Sequence, residues 1–275
     1  MSNLPPSHPR FADKSERRLE DEVAIITGGN GGLGEAAALL FGKEGAKVAV
    51  HYSGLSETSA TRAADVVQRL ENSGREAISI RADVSSYSDV SKAVDQVVGK
   101  WGKVTLLSCF AGLQADTSTW NEDPLELSDD DLFSAIRVDF LGSYHFVNAC
   151  KDYMKKGRYG KIVLISSSPT INGEEAGFKF ILAKDLNRIT VKSLAGKLIR
   201  DYGIYLNVIA PGTMDTHANR KNYTAEQWNE LIRWIPLGRA GKPEEIARVA
   251  LFLSSHDSDY VVGQTVVVDG GEVRL

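Results

Sequence analysis

The run Thr27-Gly28-Gly29-Asn30-Gly31-Gly32-Leu33-Gly34 is the stretch of this chain whose residue types most directly imply chemistry. Glycine permits tight turns and close approach of the backbone to a bound group, and a helix N-terminus offers free N–H groups to an anion. The run follows a short β-branched segment, Val23 to Ile26, and opens a helical pattern from Leu33 to Lys43. A strand, a glycine turn and a helix at the start of a βαβ unit form the context in which such a run cradles the phosphates of a dinucleotide. Other reactive side chains are sparse. The two cysteines, Cys109 and Cys150, lack Cys or His neighbours at metal-ligand spacing, so no metal site is expected. Cys109 reads as a small apolar packing residue and His145 as a helix-interface residue. Glu174 and Glu175 follow Gly173 in a segment that reads as a solvated loop.

The elements that position this run alternate regularly. Strand-like segments cover Lys47 to His51, Ala77 to Arg81, Val104 to Ser108, Lys161 to Ser166, Tyr205 to Ile209 and Thr265 to Val268. Helical patterns cover Thr58 to Asn72, Tyr87 to Trp101, a long stretch starting near Ser128, Lys179 to Arg200, and Pro243 to Ser254. The Ser128 hydroxyl can cap its helix, with Asp129, Asp130 and Asp131 on the positive end of the dipole. Strands without polar alternation, separated by helices, imply a parallel sheet covered on both faces. The expectation is an α/β protein: a single doubly wound Rossmann-type domain with a parallel seven-stranded sheet. Residues 1–20 are polar and proline-bearing and read as a tail; 21–275 form the domain.

Bulk properties narrow the function classes. The 275 residues are 43% hydrophobic and 25% charged, enough for a sizeable core in a soluble protein. A net charge of -4 gives no electrostatic reason to expect nucleic acid or an anionic membrane as partner. No apolar run approaches the roughly 20 residues that span a bilayer. So few cysteines argue against a disulfide framework and fit a reducing compartment, the cytoplasm. The ending Val273-Arg274-Leu275 is a weak echo of a peroxisomal address and reads as a plain chain end.

With Thr27, Gly28, Asn30, Gly32, Leu33 and Gly34 in the spacing Thr-Gly-x-x-x-Gly-x-Gly, the chain resembles the short-chain dehydrogenase/reductase family. The resemblance continues from about Leu19 to Gly271. Asp83-Val84 is similar to the pair that holds adenine. Ala111-Gly112 matches the end of the family's Asn-Asn-Ala-Gly, although Cys109-Phe110 stands for the two asparagines. Pro211-Gly212, with Thr216, resembles the loop that closes over nicotinamide, and Asp269-Gly270-Gly271 matches the usual ending. Membership implies a nicotinamide cofactor. His51-Tyr52-Ser53-Gly54 puts Tyr52 and Ser53, and no carboxylate, where NAD-binding relatives hold the ribose. That favours NADP(H) over NAD(H), although Gly31 stands where many NADP-preferring relatives carry Arg.

The resemblance departs from the family at the reaction centre. There a Tyr-x-x-x-Lys pair on one helical face moves the proton, a serine binds the carbonyl oxygen, and an asparagine helps hold a water relay. Here Ser167 falls at the serine position and Lys184 at the lysine position, but Phe180 stands at the tyrosine position and Asp139 at the asparagine position. Phe178 is out of register and carries no hydroxyl. Asp139 is expected either to act as or to orient a new proton donor, or to form a structural ion pair. The peroxisomal 2,4-dienoyl-CoA reductases of this family are similar in both departures. Their strand ending Asn-Cys-Ala-Ala-Gly is similar to Ser108-Cys109-Phe110-Ala111-Gly112. The resemblance thus implies a reductase acting on a carbonyl or conjugated double bond of a small molecule. Two alternatives stay open: a cofactor-bound isomerase, lyase or cyclase, and a catalytically silent binding subunit. The resemblance further implies homodimers or homotetramers paired through the helices containing Tyr144 and Arg188. It also implies a lid over about 213–237, whose Trp228 and Trp234 suggest a hydrophobic substrate.

Overall fold

The computed structural model describes residues 17–113 and 120–273. Strands β1 (Val23–Thr27), β2 (Lys47–Tyr52), β3 (Ala77–Arg81), β4 (Leu106–Cys109), β5 (Gly160–Ile165), β6 (Ile204–Pro211) and β7 (Thr265–Val268) form one seven-stranded sheet in the order β3-β2-β1-β4-β5-β6-β7. Every pairing is parallel. The order reverses between β1 and β4, so a cleft opens beyond their carboxyl ends, where doubly wound sheets take ligands.

Two apolar clusters cover the two faces. One packs α3 (Tyr87–Trp101) and the paired long helices on the sheet through residues such as Val94, Phe146 and Val191. The other packs α1 (Gly32–Lys43) and a late helix, Pro243–Ser254, through Phe41, Ile246 and Leu251. The β-branched strands bury both sides, which explains their lack of polar alternation. Between β2 and β3 lies α2 (Glu57–Asn72), capped by the Ser56 hydroxyl, which accepts from Ser59 N at 3.3 Å.

Element boundaries shift from the sequence expectation by a residue or two. β4 begins at Leu106 rather than Val104 and runs on to Cys109, where its ladder to Thr27 ends. The tail expected over 1–20 is shorter at its domain end. Leu19 is fully buried and donates from its backbone to Glu44 O at 2.9 Å, while Arg18 pairs with Glu44. Residues 1–16 and the chain end 274–275 lie outside the described residues.

The long helix expected from Ser128 is the one element with a structural surprise. It starts as α4 (Asp129–Ala135) with Ser128 and Asp131 in a reciprocal capping box. It then widens into a π-helical turn, Ile136–Leu141, before continuing as α5 (Gly142–Gly157). Such insertions free a backbone carbonyl from the regular ladder. After β5 come a short α6 (Pro169–Asn172) and the 25-residue α7 (Phe178–Tyr202). The expected lid contains α8 (His217–Arg220) and α9 (Ala225–Arg233), followed by α10 (Pro243–Ser254).

Candidate active site

The glycine run turns from β1 into α1 at the switch point. Gly28 has φ 61°, and a side chain there would strike the backbone of Ala111. A Cβ at Gly34 would strike Gly28 O, so α1 lies directly against the loop. Thr27 Oγ1 accepts from Ala111 N at 2.9 Å, tying the loop to the end of β4. No side chain caps α1, and space beside Gly31 is open. The first N–H groups of α1 therefore lack side-chain partners, as a phosphate-holding helix requires. Leu33 packs against the core below, and Thr216 reaches back to 3.8 Å from a Cβ position on Gly32. The Asn30 amide donates to Ser59 O at 3.4 Å, fixing the loop to α2.

On the side of β2 and β3, His51 organises the loop. It is fully buried; its Nδ1 accepts from Gly28 N at 3.2 Å and its Nε2 donates to Ala82 O at 3.1 Å. Both bonds need the neutral ring with its proton on Nε2. Burial pushes the His51 pKa down to about 4. The edge of the ring also meets Phe146, centroids 5.1 Å apart. Beyond it, Tyr52 and Ser53 start a loop in which Gly54, φ 72°, lies under Arg81 so closely that a Cβ would strike the guanidinium stem. Asp83 accepts from Ser85 N at 2.9 Å, and Val84 O accepts from His145 Nδ1 at 2.8 Å. His145 is thus a brace between α5 and this loop.

On the side of β4 and β5, the structure brings Asp139, Lys184 and Gly112 together. Asp139, on the π-helical turn, is fully buried and pairs with Lys184 Nζ at 2.5 Å. Its second oxygen accepts from Leu113 N at 3.0 Å. A Cβ on Gly112 would strike both Asp139 and Lys184, so only a glycine lets the backbone pass this pair. The Asn187 amide donates to Asp139 O at 3.2 Å and to Ile165 O at 3.0 Å, joining α7, the π turn and β5. Ser143 donates to the same Asp139 carbonyl at 3.0 Å. Ser166 is buried and donates to Lys184 O at 3.1 Å, whereas Ser167 is half-buried at the end of β5. Phe180 lies one turn before Lys184, with the ammonium 5.6 Å from its ring centroid and Trp120 5.7 Å away on the ring. Cys109 is buried, and that burial holds its thiol up at about 12, so it is an inert packing residue at neutral pH.

The remaining site candidates gather at the ends of β6 and β7. Pro211 O accepts from Ser168 N at 2.8 Å, and Gly212 N donates to Val268 O at 3.0 Å. Glu272 lies against Gly212, its carboxyl raised by burial and, further, by the charges of Asp269 and Glu174, against hydrogen bonds to Thr213. The two lid tryptophans part ways: Trp228 is buried, with Arg220 4.4 Å from its ring centroid, whereas Trp234 is 81% exposed. Glu174 and Glu175 are exposed.

His51, Arg81, Asn187 and Glu272 escaped the sequence reading. A histidine at the end of the apolar run Val48-Ala49-Val50 and an asparagine three residues after Lys184 were available signals, since buried polar groups need partners. Arg81 carried no signal, because its side-chain direction is a tertiary matter.

Residues 28–272 match the family model described as Enoyl-(Acyl carrier protein) reductase. The 3-oxoacyl-(acyl-carrier-protein) reductase FabG of Thermotoga maritima is 33% identical over 260 residues, covering 93% of this chain and 99% of that protein. A 7α-hydroxysteroid dehydrogenase solved with NADH and 7-oxo glycochenodeoxycholic acid is 29% identical, with a TM-score of 0.86 over 96% of this chain and 98% of that one. A gluconate 5-dehydrogenase from Burkholderia cenocepacia, solved with NADP and tartrate, is 29% identical, with a TM-score of 0.83 over 94% of this chain and 97% of that one.

Proposed function

This chain belongs to the short-chain dehydrogenase/reductase family, and on that premise we propose that it is a nicotinamide-dependent reductase of a conjugated double bond or carbonyl with a non-standard proton donor. The observation that supports the reading is the buried Asp139–Lys184 pair pinned against Gly112, with the Phe180 ring against the ammonium. The cofactor, when bound, supplies hydride. Thr27, Gly28, Asn30, Gly32, Leu33 and Gly34 would hold its phosphates. Tyr52, Ser53, Asp83 and Val84 would hold its adenosine end; Ala111, Gly112, Lys184, Pro211, Gly212 and Thr216 would hold its nicotinamide end.

Phe180 has no proton to give, so carbonyl reduction lacks its usual acid. Conjugate reduction asks less of the site. Hydride adds to the β-carbon and the electron pair moves onto the carbonyl oxygen. There the Ser167 hydroxyl and the Lys184 ammonium can stabilise it. A water proton then goes to carbon, leaving hydroxide that bulk solvent neutralises. Asp139 pairs with Lys184 and orients it, leaving its other N–H donors for the ribose and that water. Arg81, beside Gly54, supports NADP(H) over NAD(H), because a guanidinium favours a 2′-phosphate. We place the protein in the cytoplasm. We expect homodimers or homotetramers joined through α5 and α7, where Tyr144 and Ile189 are exposed.

The test is a calorimetric titration with NADPH and NADH, followed by NADPH oxidation with conjugated enones, dienoyl thioesters and ketones. Tight NADPH binding with oxidation by a conjugated substrate is expected. Tight binding with substrate turnover but no cofactor consumption would establish the isomerase, lyase or cyclase reading instead. Binding of neither cofactor would mark a silent subunit.

A further inference from the structure

A cavity of about 580 Å³ lies between Trp120 and the lid. Small-molecule sites run from about 300 to 1,000 Å³. Its lid wall is one face of α9 and the residue after it: Gln227, Glu230, Leu231 and Trp234 recur at helical spacing, with Tyr223 beside them. Its opposite wall is Trp120. That indole is held on the start of α7, where Gly177 N donates to Trp120 O at 2.6 Å and a Cβ on Gly177 would strike the ring. Trp120 in turn touches Phe180, which faces Lys184. Cavity, Trp120, Phe180 and the Asp139–Lys184 pair therefore form one continuous row.

The wall chemistry is specific. Indole and phenol faces reward flat rings, which stack at little entropic cost. The Gln227 amide and the Glu230 carboxylate can bond hydroxyl and carbonyl groups on a ring edge. Glu230 opposes a phosphate-bearing arm, and the rigid aromatic faces give a flexible acyl chain little that offsets its ordering. Trp234 at 81% exposure leaves an apolar edge open at this mouth. We propose that this cavity selects a planar, multi-ring, oxygenated substrate, of the hydroxylated polycyclic ketone or quinone class, over an acyl thioester. The proposal rests on reading the Asp139–Lys184 pair as a reduction centre, but it is tested apart from it.

Calorimetry with NADP⁺ present reads binding while no hydride is available. The probes are emodin, a hydroxylated three-ring quinone, and decenoyl-CoA. Emodin is expected to bind at least about tenfold more tightly than decenoyl-CoA, and Trp120→Ala and Trp234→Ala are each expected to raise its Kd about tenfold. Trp234 is exposed, so its variant folds, and Tyr260→Ala, a fully exposed site away from the lining, serves as the unchanged control. Tighter binding of decenoyl-CoA, or an emodin Kd indifferent to both tryptophans, overturns the proposal. If emodin binds as expected but no substrate oxidises NADPH, the reduction reading falls while the ring selectivity stands. If enoyl thioesters are reduced and emodin does not bind, the reverse holds. A change in oligomeric state from Trp234→Ala without a change in emodin affinity would assign that rim to a second copy and also overturn it.

Discussion

Replacing His51 with glutamine should flatten the acid limb of this protein's stability profile, and the size of the effect follows from the geometry. The neutral ring accepts from Gly28 N and donates to Ala82 O within a fully buried site. Protonation would set an Nδ1–H against the Gly28 N–H, donor against donor. Burial lowers the folded-state pKa from 6.5 to about 4. A depressed folded pKa stabilises the protein fully above the unfolded value, and that contribution is lost as pH falls through the window from 6.5 towards 4. Linkage then predicts a loss of about 1.4 kcal/mol by about pH 5.5 and about 3 kcal/mol by about pH 4. At roughly 2–4 °C per kcal/mol, the first figure is a fall of about 3–5 °C in Tm between about pH 7.5 and 5.5. Glutamine can bond both partners and does not titrate, so His51→Gln should lack that increment. The assay is calorimetric Tm against pH for the pair. Parallel profiles would refute the claim that His51 is held neutral as the clamp of the glycine loop. The same clamp predicts that NADP⁺ affinity weakens over the same window more steeply in the wild type than in His51→Gln, the 2′-phosphate titrating in both.

Four further outcomes follow from the site. Asp139→Asn strands the Lys184 ammonium, whose side chain is only 8% exposed, and should cost about 3–5 kcal/mol in denaturant unfolding; a loss below about 1 kcal/mol would mean the pair is solvated. Gly112→Ala drives a methyl group onto that pair and should lower kcat about 100-fold by displacing it; unchanged turnover would show that the pair is not at the reacting atoms. Phe180→Tyr restores a phenol beside Lys184 and should create or raise ketone reduction by about 10²–10⁴-fold; no gain would mean the pocket is built for other chemistry. Arg81→Ala should raise the Kd for NADPH about ten- to hundredfold and leave NADH unchanged; equal effects on both would remove Arg81 from the 2′-phosphate.

The sequence carried the fold because one-dimensional periodicity and punctuation suffice for a doubly wound sheet. Ala77–Arg81, Tyr87–Trp101, Pro243–Ser254 and Thr265–Val268 fall where apolar period and capping put them. The glycine turn between β1 and α1 was legible for the same reason: one of its close approaches, Gly34 on Gly28, is between neighbours in sequence. The π turn was not legible, since its residues are ordinary helix formers and the extra residue per turn is fixed by packing against α7. Nor were His51 and Asn187, whose partners are 22 to 48 residues distant along the chain. Their roles exist only once three elements meet.

On the proposed reading of the site, the Asp139–Lys184 pair argues for rebuilding rather than decay. A lysine buried beside a phenyl ring without a counter-ion would leave a poorly solvated ammonium at a cost of several kcal/mol. The aspartate at position 139 supplies the missing charge, Leu113 N and Lys184 occupy its two oxygens, and Asn187 with Ser143 fixes its carbonyl. The Phe180 ring face meets the same ammonium at cation–π distance. Each feature is costly without the others, so they form one coupled arrangement. A silent binding subunit has no need for a buried lysine–aspartate pair in the cleft, and could replace it with an apolar residue at position 184. Retention of the charge with its counter-ion is what a centre that stabilises negative charge on a reduced substrate requires, and the double substitution Asp139→Asn with Lys184→Met separates the two. If the apolar variant is as stable as the parent but inactive, the pair is maintained for chemistry at a cost in stability; if it is active, the pair is only a strut.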